Sequence, residues 1–434
     1  MASAGTSSRQ NLKGALRRVA YSDRASGLLM LSFAVAGLVF VNIPFTAGPL
    51  HYFSEITVGI PFTNISMPIT EWVQDGLLTL FFLVVGLDLK QELTTGSLSN
   101  PRRAAVPMLA AVGGMIVPPL VFLAVTWAMS GGVSDAGNAG AAGTVGSGAA
   151  AFDFSVISRG WPVPTATDIA FSLAVLAIFA RGLPGAIRAF LMTLATVDDL
   201  LGILLIAVLF SSLHEWYWFL GIAVCAAAWY VLCRFRKVPW LLVAALGILT
   251  WVMMFEAGIH PTLSGVLVGL LTPAREMHGE TTPRAERYHD RLVPLSSLVA
   301  LPVFAFFATG ISLQGFGMGV FMSPLVLGLV AALVIGKPVG IMAVSWLSVH
   351  AGRLKLADGL RVRDLIGLAC ACGIGFTVSF LIASLAFKDS IYTGEARLAV
   401  LVGSLLSAVI AAFVLRWQSR RFASRFEQSE VLGR

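Results

Sequence analysis

The chain has 434 residues, of which 57% are hydrophobic and 12% charged, and a mean hydropathy of +0.84. Soluble globular chains carry about 25% charged residues, so a water-solvated fold could not hide this much apolar surface, and lipid must solvate much of it. The net charge of +7 would suit a nucleic-acid binder, but the cations lie where membrane topology needs them.

Arg9, Lys13, Arg17, Arg18 and Arg24 precede a first apolar run at 26–43. That run is too long for a signal-peptide core and no small-residue cleavage site follows, which predicts a retained first span. Next comes "SEITVGIPFTNISMPI", where Ile56, Val58 and Ile60 alternate before Pro61. A β-hairpin and an irregular loop both fit this pattern. Apolar runs then recur at 72–89, 104–128, 162–180, 186–210, 215–233, 238–255, 257–271, 292–313, 318–348, 362–386 and 396–415, making twelve in all. About 20 residues cross roughly 30 Å of hydrocarbon, so the runs at 162–180 and 257–271 are marginal in length. The stretch 129–153, rich in Gly, Ala and Ser, reads as a flexible linker without chemistry. Cys225, Cys233, Cys370 and Cys372 lie in or beside apolar runs. They read as small buried residues, not as disulfides or a zinc site.

The cations test this map. Of the 30 Lys and Arg, 26 fall in the N-terminus, the C-terminus and the loops after even-numbered runs, counted with the run edges beside them. The other loops and run edges hold Arg159, Lys388 and Arg397, and Lys337 lies deep inside a run. This asymmetry predicts that both termini are cytoplasmic and leaves nucleic acid without a role.

Few charges interrupt the runs: Asp168, Asp198, Asp199 and Lys337, with Asp75 nearer one end. Each costs at least about 2.5–3.5 kcal/mol at the bilayer centre on insertion scales, so intramembrane ionisable groups read as functional by default. Asp198 and Asp199 occupy the middle of "LATVDDLLGILLIAVLF". Adjacent helical residues point about 100° apart, so one can line a cavity while the other faces a neighbouring helix. A purely structural ion pair with Lys337 would account for one aspartate and leave the other unexplained. Lys337 is followed by Pro338 and flanked by Gly336 and Gly340, which predicts a distorted helix. A lysine there can change protonation with its surroundings or serve only as a counter-ion. In "GWPVPTATDIAFSL", Pro162 and Pro164 disfavour a regular helix before Thr165, Thr167 and Asp168. Asp168 is a candidate N-cap. "ACGIGFTVSFL", with Gly373, Gly375 and Thr377, is a second interruption. Paired interrupted helices point to a transporter site near the midplane. Runs 3–5 and 10–12 would form an inverted repeat. Where the broken helices cross, a carboxylate would offset the positive helix ends and a lysine the negative ones.

Several of these segments together resemble the bacterial NhaA-type sodium/proton antiporters: "FFLVVGLDLKQELTTGSL", "WPVPTATDIAFSLAVLAI", "FLMTLATVDDLLGILLIA", "GIHPTLSGVLVG", "VIGKPVGI" and "CGIGFTVSFLIASLAF". The resemblance spans about 70–415 in family order. It implies an all-α polytopic fold of about twelve helices, with an inverted repeat and two interrupted, crossing helices. It also implies an electrogenic, pH-regulated secondary antiporter that exports Na+ or Li+ against protons, in the bacterial cytoplasmic membrane, with no cofactor and no enzymatic activity. Asp199 and Asp198 match the family's ion-site aspartates, Thr167 and Asp168 its Thr-Asp at the broken fourth helix, and Lys337 the lysine linked to electrogenic exchange. Asp75 matches an acidic residue of the second helix. Asp88, Glu92, Glu276 and His289 map onto a cytoplasmic pH-regulatory cluster, and His260 onto a histidine tied to pH response. Gln91 stands where a basic residue is usual, Asp88 replaces a Glu, and His289 stands about where a Glu is expected. The stretch 129–153 resembles an insertion, and the first outer loop corresponds to a family dimer contact, which implies a homodimer.

The expected division is a cytoplasmic segment 1–25, a transmembrane body 26–415 and a cytoplasmic tail 416–434. Sodium favours hard oxygen ligands, and desolvation raises carboxylate pKa values toward physiological pH, so Na+ and protons would compete at Asp199, with Asp198 assisting. Asp198 or Lys337 would carry the additional proton. An electroneutral or K+-accepting exchanger is the nearest alternative. A cation channel is disfavoured by Lys337. An intramembrane aspartyl protease is disfavoured because "TVDDLLG" lacks that class's Gly-x-Gly-Asp pattern.

Overall fold

A computed structural model describes residues 19–60, 65–130, 154–180, 182–212, 216–236, 238–277, 279–313, 317–356, 360–388 and 392–432. Apolar runs become helices because hydrocarbon offers no partner to an unpaired backbone N–H or C=O. In chain order these are α1 (Asp23–Asn42), α2 (Pro44–Glu55), strands β1 (Thr57–Gly59) and β2 (Ser66–Pro68), α3 (Ile69–Thr94), α4 (Pro101–Met129) and the bent pair α5 (Phe154–Thr165) and α6 (Ile169–Phe179). Then follow α7 (Gly185–Leu209), α8 (Tyr217–Leu232), α9 (Trp240–Glu256), α10 (Leu263–Leu271), α11 (Arg284–Ala308) and α12 (Pro324–His350). The second bent pair, α13 (Val362–Ala371) and α14 (Phe376–Ala386), precedes α15 (Tyr392–Leu432).

Among the described residues, seven helices are long and apolar enough to cross a membrane, and nine if each bent pair is one span. The shorter apolar helices α8 and α9 and the nine-residue α10 complete the match to the twelve predicted runs. Both interruptions are present, with bends of 52° between α5 and α6 and 57° between α13 and α14. The hairpin forms: Thr57 pairs with Pro68, Val58 with Met67 and Gly59 with Ser66. Its tip, 61–64, lies outside the described residues, as does most of the predicted linker, 131–153.

Several elements differ from the sequence reading. α11 starts at Arg284, before the apolar run, because "RAERYHD" folds as a polar first stretch with Arg284 and Ala285 buried. α15 continues to Leu432, past the expected division at 415. α2 was not foreseen, since Gly48 and Pro49 both disfavour a helix interior.

The pairing of α4 with α12 sets the site. A Cβ on Gly340 would collide with the Gly113 carbonyl oxygen, so only glycines permit this approach. In α12 a wide π-turn covers Ala332–Gly336 and ends at Lys337. Pro338 has no N–H to return to the preceding turn, which explains the distortion. A second π-turn, Trp72–Leu77, contains Asp75.

Candidate functional site

The two breaks meet. The Asp168 N–H donates to the Ile374 carbonyl at 2.7 Å, Thr167 Oγ1 to the Cys372 carbonyl at 3.1 Å, and Ser172 Oγ to the Ala371 carbonyl at 2.8 Å. Unwound backbone in each pair thus bonds to the other pair, as buried backbone must. Asp168 is extended, with φ −88° and ψ 102°, so the helix begins only at Ile169. Its Oδ1 accepts the Phe171 N–H at 3.0 Å. Its Oδ2 accepts the Thr377 N–H at 3.2 Å and Thr377 Oγ1 at 2.8 Å. One buried carboxylate therefore caps the N-termini of both α6 and α14, where the helix dipoles favour negative charge.

Lys337 serves the opposite polarity. It is wholly buried, and its Nζ donates to the Thr165 carbonyl at the C-terminal end of α5. The same Nζ lies 2.9 Å from Asp198 Oδ2. Asp198 Oδ1 and Asp199 Oδ2 are buried and accept no hydrogen bond among the described residues. The crossing thus gathers a lysine, three aspartates and Thr167, Thr165 and Thr377 in a buried setting. Two carboxylate oxygens remain available to a proton or to a small hard cation.

The outlying candidates fall into separate groups. Asp75 Oδ1 lies 3.6 Å from His260 Nε2, while His260 Nδ1 bonds Thr262 Oγ1 at 2.8 Å. Trp251 Nε1 donates to the Asp75 carbonyl at 3.0 Å and stacks on Trp72. The sequence reading kept Asp75 and His260 apart; the structure brings them together. Asp88 Oδ1 meets His289 Nε2 at 2.9 Å, and Asp290 Oδ1 lies 3.6 Å from His289 Nδ1. Glu92 is separate from that pair: its Oε2 accepts both the N–H and Oγ of Ser97 at 2.8 Å. Glu276 is exposed and joins no ion pair among the described residues.

Two features escaped the sequence reading. Ser97 Oγ lies 2.7 Å from Thr193 Oγ1, which ties the turn after α3 to the helix that carries Asp198 and Asp199. A lone hydroxyl in "FLMTLA" gives little signal. Glu280 pairs with Arg284 at 3.3 Å and also with Arg287, and Arg284 donates to the Cys233 carbonyl at 2.9 Å. The Arg284 guanidinium, which hydrogen-bonds it, holds the Glu280 carboxyl below its ordinary range.

Comparison with known proteins follows the same lines. The family described as Na+/H+ antiporter 1 matches residues 17–157 and 139–415. The chain is 62% identical over 407 residues to the Na(+)/H(+) antiporter NhaA of Bifidobacterium adolescentis, covering 94% of this chain and 88% of the relative. It is 37% identical over 411 residues to Na(+)/H(+) antiporter NhaA 3 of Streptomyces coelicolor, covering 94% and 81%. Among solved structures, the sodium proton antiporter MjNhaP1 from Methanocaldococcus jannaschii at pH 8 shares the fold, with a TM-score of 0.50, 14% identity and 92% of each chain covered. With most of its length matched and high identity over nearly the whole chain, the protein belongs to the Na+/H+ antiporter 1 family.

Proposed function

We propose that the chain is a secondary active antiporter, not an enzyme, that exports Na+ or Li+ across the bacterial cytoplasmic membrane in exchange for protons, electrogenically and under pH control. The supporting observation is the buried crossing, where Asp198 Oδ1 and Asp199 Oδ2 carry no hydrogen bond among the described residues beside the Lys337–Asp198 pair. A solely structural ion pair would not need Asp199.

In this reading Asp199 is the principal cation ligand. Asp198 assists, and Thr167 and Asp168 hold the unwound segments in position around it. Carboxylate oxygens suit Na+ and Li+, and proton binding to the same carboxylates expels the cation. Alternating exposure of the crossing to the two sides turns that competition into exchange. The additional proton of an electrogenic cycle is carried by Asp198 or by Lys337, which meet at 2.9 Å. Asp75, paired with His260, serves the opposite end of the cation path. Asp88, Glu92, Glu276 and His289 form the regulatory surface. Both termini are cytoplasmic, 1–25 and 416–434 flank the transmembrane body, and the β1–β2 hairpin supports a homodimer.

The test uses inverted vesicles from antiporter-deficient bacteria, with a fluorescent reporter of the pH gradient. Addition of Na+ or Li+ should collapse the gradient with the wild-type chain and not with Asp199→Asn. An Asp199→Asn variant that matches wild type would defeat the site assignment. Loss of every cation response in the wild type would defeat the exchanger reading.

A further inference from the structure

α2 has no buried residue, yet it carries the most exposed aromatic side chains near α1: Phe45 is 87% exposed, Tyr52 76% and Phe53 49%. A helix places residues about 100° apart, and on that wheel α2 divides into three faces. Phe45, Pro49, Tyr52 and Phe53 form one exposed face. Gly48, His51 and Glu55 form a second, also exposed, with His51 Nε2 3.4 Å from Glu55 Oε1. Thr46, Ala47, Leu50 and Ser54 form the third, which is partly covered by protein. Thr70 Oγ1 donates to the Ser54 carbonyl at 3.4 Å, fixing the end of α2 to the start of α3. The covered face and this tether set the rotation of the helix, so the aromatic face is held outward.

The aromatic face is continuous with the apolar surface of α1. Val35 and Val39 are exposed one turn apart on that helix, and the exposed Ile43 just after it leads to Phe45. A spanning helix with such a stripe presents it to lipid chains, and α2 follows after one residue, Ile43. Tyr favours the boundary between chains and headgroups, and a helix that carries Phe on one face and polar residues on another can lie in that plane with its apolar face buried.

We propose that α2 is an interfacial anchor that inserts Phe45, Tyr52 and Phe53 into the phospholipid surface at the end of α1, with His51 and Glu55 facing water. The partner is the bilayer itself. The inference rests on α1 spanning the membrane, which probes within α1 report separately.

Nitroxide labels on single cysteines at 45, 48, 51, 52, 53 and 55 test this, with Cys225, Cys233, Cys370 and Cys372 replaced. The chain is reconstituted in phosphatidylethanolamine/phosphatidylglycerol vesicles, and labels at Val35 and Val39 serve as span controls. Collisions with oxygen, which partitions into lipid, are compared with collisions with a water-soluble nickel chelate. The oxygen-to-nickel ratio should be several-fold higher at 45, 52 and 53 than at 48, 51 and 55. A ratio equally low at all six positions, with α1 controls lipid-exposed, would mean that α2 stands in water. Low collision with both reagents at 45, 52 and 53 would mean that protein, such as a second copy, covers the face. Either result overturns the proposal. If the cysteine-free chain fails to fold, a benzophenone amino acid at 45 in the native-cysteine chain should give phospholipid adducts by mass spectrometry, and one at 51 should not. Equal adduct yields, or protein crosslinks alone, overturn it as well.

Discussion

Lys337 Nζ and Asp198 Oδ2 meet at 2.9 Å with both side chains withdrawn from solvent, whereas the adjacent Asp199 has no such partner among the described residues. Neighbours on one helix therefore have different partners, because adjacent helical residues point about 100° apart.

Removing one member of a buried pair leaves the other charge uncompensated, at about 3–5 kcal/mol. Lys337→Met should therefore lower the thermal midpoint in detergent sharply. Lys337→Met with Asp198→Asn should recover most of the loss, since no buried charge remains. Thermal unfolding of the two single variants and the double variant checks this. Simple addition of the two single losses would show that the groups are not coupled.

Asp168 caps two helices at once, so its truncation removes two caps worth about 0.5–2 kcal/mol each. Asp168→Ala should cost about 1–4 kcal/mol on that basis. Asp168→Asn should cost less, because its carbonyl can still accept from Phe171 while its NH2 opposes the Thr377 N–H. Unfolding midpoints in mild detergent test the order. An Asn variant as unstable as Ala would mean that charge, more than capping, holds the crossing.

The Ser97–Thr193 contact predicts a coupling between the turn after α3 and α7. One hydrogen bond is worth about 1 kcal/mol, and Thr193 is buried, so Thr193→Val should lower the thermal midpoint in mild detergent by about that much. Thr193→Ser should restore most of the loss, because its hydroxyl can still meet Ser97. A Val variant as stable as wild type would show that the contact does not hold the two segments together.

How much could be read from the chain alone follows from the range of each signal. Apolar length gave the spans, and the prolines before Asp168 with the glycines after Cys372 gave both breaks, because each is a local property of the backbone. That Asp168 would also cap α14, 209 positions away, needed the crossing itself. The choice of Asp198 over Asp199 as partner of Lys337 depends on the rotation of α7, which adjacent identical residues cannot encode. Thr193 passes for a bland hydroxyl until Ser97 is brought beside it. In α2, Gly48 and Pro49 argue locally for a loop. Pro44 at the first helical position starts the helix, and the tether at Ser54 fixes its end.

Glu280 ties the segment between α10 and α11 to the helix start through Arg284 and Arg287. Hydrogen bonding from Arg284 lowers its pKa in the folded chain below the ordinary 4.5. A lowered carboxyl pKa means that the unfolded chain binds the proton more tightly, so the stabilisation is present above about 4.5 and fades as pH falls through the lower folded value. Glu280→Gln should therefore depress the thermal midpoint at pH 7.5 and narrow its difference from wild type as the pH approaches 3.5. Midpoints of both proteins across that range give the answer. A difference that stays constant with pH would mean that the side chain acts through shape and neutral hydrogen bonds, and that its charge contributes nothing to holding α11 in place.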